Sequence, residues 1–178
     1  MSLDPSVLSQ GFANIGQPTD AGDAAAAIAT IYEGYAQNAV DPAGNPLVSG
    51  NTVLFATGLI RWLSANYVTT ESAAEAFAYA IAQFWSGATF QATLVPSQRS
   101  SGGNGVMSTL ATSIVTDVHT TRLETAITNL NVTNLQSVAD ACAAFAQALH
   151  NATTSGVYVK MTGSDSNGVS TIYLGNPS

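Results

Sequence analysis

Two histidines, His119 and His150, and one cysteine, Cys142, are the side chains of this sequence best suited to nucleophilic or metal chemistry. Each histidine ends an apolar stripe, Ile114 to His119 and Phe145 to His150, and neither sits at the spacing of a metal site. They read as residues at the edge of a packed face. Cys142 lies on an apolar helical face and reads as a buried structural thiol. A single cysteine forms no intramolecular disulfide. Glu71 with Glu75, one turn apart, and Asp140 with nearby acids are the carboxylates that could do acid–base work. A helix start already accounts for the glutamates, because acids there meet the positive end of the helix dipole favourably. Asp165-Ser166-Asn167-Gly168 begins like part of a calcium loop, but no glutamate follows to close it, so a hairpin turn is expected. Ser100 to Gly105 is glycine-rich without the lysine that phosphate binding wants, and no Gly-x-Ser-x-Gly elbow occurs. The expectation is a protein without catalytic, cofactor-binding or metal residues, and not an enzyme.

Composition points the same way. Charged residues make up 8% of the 178-residue chain, against about 25% in ordinary domains. Ser, Thr, Asn, Gln and Ala must cover much of the surface, and such a surface costs little to desolvate against another protein. Hydrophobic residues at 46% supply a core for one domain of ordinary size. The net charge is −7, with Arg61, Arg99, Arg122 and Lys160 the only cations. Nucleic-acid affinity comes from cations that displace counterions from phosphates, so direct DNA or RNA binding is not expected. An anionic membrane surface is disfavoured for the same reason. No stretch has the length of a membrane span, and MSLDPSVLSQGF lacks the basic and apolar regions of a signal peptide. Without such a signal, the glycosylation patterns at Asn131 and Asn151 are expected to be chance.

The elements that would position these residues can be read from periodicity. Residues 1–21 read as an extended arm, and 22–178 as one Ala-rich helical domain. A helix over about Ala24–Asn38, capped by Asp20 or Asp23, carries Ile28, Ile31, Tyr32 and Tyr35 on one stripe. Asp41 to Pro46 is dense in turn formers, and Leu47-Val48 suggests a short strand. Asn51 or Thr52 opens a helix to about Asn66 that is apolar around most of its circumference, the pattern of a central buried helix. Ser72 with Glu75 resembles a capping box for a helix whose stripe is Ala73, Phe77, Ala80, Ile81 and Phe84. Gly87 turns the chain into an alternating strand, Thr89 to Leu94, and Trp85 reads as a core anchor. Pro96 to Gly105 is expected to be a flexible loop. Met107, Leu110, Ile114 and Val118 suggest a helix continuing through Leu123 and Ile127. A last helix, opened by Thr133 and Gln136, carries Val138, Ala141, Cys142, Phe145 and Leu149. Val157–Thr162 and Val169–Leu174 form a C-terminal hairpin. The fold class expected is α+β, mainly helical, with about five helices and a small antiparallel sheet. Ala76-Phe77-Ala78 and Ala144-Phe145-Ala146 repeat at an offset of 68 that also aligns Phe90 with Tyr158. A duplication and a shared helical period both explain it.

The opening MSLDPSVLSQGF, the helix with YEGYAQNAV, the segment EAFAYAIAQFWSGATF and the closing AAFAQALHNATTSGVYV are together similar to small structural proteins of tailed bacteriophage virions. Phe84-Trp85 followed by a strand is the most specific point. The resemblance implies a non-enzymatic virion component that is assembled in the host cytoplasm. A head–tail neck or connector protein, a tail protein or a capsid decoration protein would fit. Its partners would be itself, as a symmetric oligomer or ring, and other virion proteins. Trp85-Ser86-Gly87 also resembles the turn of secreted helical-hairpin substrates of bacterial type VII secretion, which are shorter and less strand-rich. A small enzyme with an unrecognised site is the remaining alternative, which a pocket holding His119 or His150 beside an acid would favour.

Overall fold

Asp4 starts the first element: its carboxylate accepts from the Ser6 amide at 2.8 Å and Pro5 occupies the first turn of α1, Pro5–Ala13. This is the arrangement in which a proline loses nothing by lacking an N–H. Leu8 and Phe12, one turn apart, are buried, as is Leu3 ahead of the cap. The extended arm expected for 1–21 is therefore corrected, because an N-cap, a proline and an i, i+4 apolar pair together specify a docked helix. The computed structural model describes residues 3–41, 44–91, 96–97, 105–106, 112–118, 120–128, 137–164 and 170–178.

The other helices are α2 (Ala21–Ala36), α3 (Thr52–Ser64), α4 (Thr70–Trp85), α5 (Thr120–Thr128) and α6 (Val138–Gly156). Each packs on the next in chain order and α1 closes the circuit against α6. Polar caps set the starts: Asp20 accepts from the Asp23 amide, Asn51 from Leu54, Thr69 from Ser72 and Ser137 from Asp140. The capping box expected at Ser72 and Glu75 is replaced by a cap at Thr69, which lets α4 begin one turn earlier. The start expected at Thr133 and Gln136 lies outside the described residues. The cap of α6 is Ser137, whose hydroxyl also donates to the Asp140 carboxylate at 2.7 Å. Gly87, at φ 77°, takes the left-handed turn after α4.

Strand order in the main sheet is β1 (Leu47–Ser49), β2 (Thr89–Phe90), β5 (Thr112–Val118), β6 (Val157–Ser164) and β7 (Ser170–Gly175), each antiparallel to its neighbours. β3 (Pro96–Ser97) and β4 (Gly105–Val106) form a separate antiparallel pair. Both ends of the loop expected at 96–105 are thus paired, and 98–104 lies outside the described residues. The helix expected through Ile114 and Val118 is corrected to the strand β5. Thr112, Ile114, Val115, Thr116 and Val118 are β-branched and favour a pleated strand over a helical turn. β5 then occupies the centre of the sheet. The class is α+β and mainly helical. β6 and β7 pair in register from Val159 with Gly175 to Ser164 with Ser170, while 165–169, where a hairpin turn is expected, lies outside the described residues.

The core gathers the inward faces of the helices against Phe90, Val157 and Val159 of the sheet. Tyr32 stands at its centre, with ring centroids 5.0 Å from Phe55, 5.1 Å from Phe84 and 5.7 Å from Tyr35. Phe77 and Phe145, equivalent in the sequence repeat, meet at 5.6 Å. Gly58 lets α3 approach α4: a Cβ there would lie 2.9 Å from Ala80 Cβ. The central buried helix expected from the apolar pattern of 51–66 is instead peripheral. Only Phe55 and Leu59 of α3 are buried, because α3 contacts the core along one side. Val53, Leu54, Ile60 and Leu63 remain exposed.

Candidate functional site

Tyrosines three apart on α2 bring two hydroxyls into the apolar interior, where each needs a partner. Tyr32 Oη accepts from Trp85 Nε1 at 2.9 Å and shares a bond of 2.7 Å with Thr153 Oγ1. Tyr35 Oη shares a bond of 2.9 Å with His150 Nδ1. The four groups Tyr32, Tyr35, Trp85 and Thr153 are all fully buried. Burial pushes the Tyr32 phenol up to about 12 and raises Tyr35 further, Tyr35 also feeling the charge that Tyr32 would carry. The same cause pushes His150 down, opposed by the Asp4 carboxylate. Asp4 itself is held below its usual value, chiefly by the Ser6 amide. A neutral imidazole beside a neutral phenol results. Phenol–imidazole and phenol–hydroxyl pairs are the chemistry of acid–base and nucleophilic sites. Here both phenols are sealed among aromatic rings, so the pairs join α2 to α4 and α6 rather than offering a phenol to a substrate.

An open groove of about 620 Å³ lies between α3 and α4, with Thr120 of α5 at one side. Arg61, Trp62, Tyr67, Ser72, Glu75 and Tyr79 line it. Trp62 is held by Phe77, whose ring centroid lies 4.5 Å away. His150 does not line this groove, so the arrangement that would favour an enzyme, a histidine and an acid in one pocket, is not formed there by His150.

The sequence candidates are scattered. Glu71 lies in the exposed first turn of α4, and Glu75 is one turn further on, at the groove. Asp140 is engaged by its own helix cap. Cys142 is half-buried against the core. His119 and Asp165-Ser166-Asn167-Gly168 lie outside the described residues, as do Ser100 to Asn104. Among the described residues no group of three or more His, Cys, Asp or Glu side chains could hold a metal ion. Among them, too, no helix is long and apolar enough to cross a membrane. Sequence reasoning missed the two hydroxyl pairs, although Tyr32 and Tyr35 on a buried stripe were the available signal.

The exposed side of α3 is the other functional candidate. Val53 is 76% exposed, Leu54 42%, Ile60 41% and Leu63 37%. Val48, on the edge strand β1 just before α3, is 66% exposed. From Gly44 to Thr70 the chain carries no carboxylate, and Arg61 is its only charge. No family model, curated protein or solved structure matches this chain.

Proposed function

We propose that this protein is a non-enzymatic structural component of a tailed-phage virion, a head–tail neck or connector protein that assembles as a symmetric oligomer. The observation that supports this reading most is the mismatch on α3. Its sequence is apolar nearly all round, as in a buried helix, yet a single chain buries only one side of it. Assembly would bury the other. The low charge of the chain and the resemblance carried by EAFAYAIAQFWSGATF and AAFAQALHNATTSGVYV support the same reading. Light scattering on the purified protein should give a mass above that of one chain, and purified particles should contain it. A monomer that is also absent from particles would overturn the proposal.

A further inference from the structure

We propose that the outer face of α3 pairs with α3 of a second copy of this chain, antiparallel and centred on Thr57. The inference deepens the self-assembly reading above and rests on it for the oligomer, not for the virion. At 3.6 residues per turn, Val53, Thr57, Ile60 and Ser64 fall within about 60° of one another. Leu54 and Arg61 flank them on one side and Leu63 on the other. All of these are exposed.

The charge distribution selects a second copy as the occupant. Two copies of a chain with net charge −7 repel unless they meet where carboxylates are missing. The helices α2, α4, α5 and α6 each carry one or two carboxylates, and α3 carries none. Although α1 also lacks them, it is docked between α2 and α6. A basic partner would be drawn to the acidic helices and would gain nothing from α3, whose one charge is the cation Arg61. The geometry is self-complementary as well. An antiparallel two-fold through Thr57 sets Leu54 level with Ile60 of the partner subunit, apolar against apolar. It sets Val53 level with Arg61 of the partner subunit, whose aliphatic stem can lie over it while the guanidinium reaches water. The two arginines are then about 12 Å apart along the pair, at 1.5 Å rise per residue, and do not oppose each other. One helix face is a small interface, below the about 1,600 Å² of a standard complex, so micromolar association is expected.

Sedimentation equilibrium between about 1 and 500 µM brackets that affinity. The wild-type chain should self-associate, more tightly as added salt screens the net charge. Ile60→Glu and Leu54→Glu should each weaken association at least tenfold by placing a carboxylate in the apolar contact between these two positions, where no cation of the partner lies level with it. Val68→Glu, at a position 96% exposed outside this face, should leave it unchanged. The substituted side chains face solvent in the single chain, so circular dichroism should match the wild type. Should Ile60→Glu misfold, Thr57→Glu at the axis asks the same question. A wild-type chain that stays monomeric throughout overturns the pairing. Glutamate variants that associate like the wild type refute this face while leaving self-assembly intact. Variants that are monomeric like the wild type but lost from particles would show that a different protein covers α3, which also overturns it.

Discussion

Replacing Tyr32 by Phe removes one oxygen from the centre of the core and should be costly out of proportion to its size. The ring would keep its contacts with Tyr35, Phe55 and Phe84, so little cavity opens. What disappears is the partner of two buried groups, Trp85 Nε1 at 2.9 Å and Thr153 Oγ1 at 2.7 Å. Leaving a buried polar group unsatisfied costs about 1–3 kcal/mol; Trp85 loses its acceptor outright while Thr153 keeps the Tyr35 phenol nearby, so the total should be about 2–4 kcal/mol. That is a large share of a typical stability of about 5–15 kcal/mol. Thr153→Val removes one member and should cost less, because Tyr32 Oη keeps Trp85. Adding Thr153→Val to Tyr32→Phe should cost less than the sum, since the hydroxyl that loses Tyr32 is then gone. Urea unfolding of the two single variants and the double variant measures all three terms. A Tyr32→Phe variant within about 0.5 kcal/mol of the wild type, the range of ordinary surface substitutions, would refute the reasoning.

Trp85→Ala should cost about 3–5 kcal/mol, as truncation of a large buried aromatic does. A thermal melt near the wild-type temperature would contradict this. Protonation of His150 gives a pH dependence whose sign follows from its lowered native value. The unfolded chain takes up the proton first, near 6.5, so the contribution is fully present above that pH and is lost as the pH falls toward the native value. Melting temperatures between about pH 5 and 7.5 should fall on the acid side, and His150→Gln should flatten that part of the profile.

The helices were legible wherever a polar cap preceded a clean apolar period. Asp20, Asn51 and Gly87 marked their ends, and Phe55, Phe77, Phe84, Trp85 and Leu149 were readable as core. Two failures share a cause. Periodicity at Ile114 and Val118 fits a helix, but the β-branched residues between them fit a central strand, and only the neighbours β2 and β6 decide. Likewise α3 reads as buried because its pattern registers apolar residues without saying which of them a single chain covers. The arm failed differently. Its cap and proline were visible at Asp4 and Pro5, but the surface of α6 that rewards docking is more than a hundred residues away. The pairing of Tyr35 with His150 was hidden for the same reason, since hydroxyl partners across 115 positions leave no local trace.

The two tryptophans make the chain report optically on two places at once. Trp85 is sealed, with its indole N–H given to Tyr32, whereas Trp62 is half-buried beside Phe77 on the wall of the open groove. Their emission therefore superposes an apolar signal and a wetter one. Water-soluble quenchers reach the second from the groove and not the first. Spectral changes at constant Trp85 emission belong to the α3–α4 groove, and changes in Trp85 belong to the core. Occupancy and unfolding thus become separable by wavelength in the native sequence, with no label attached.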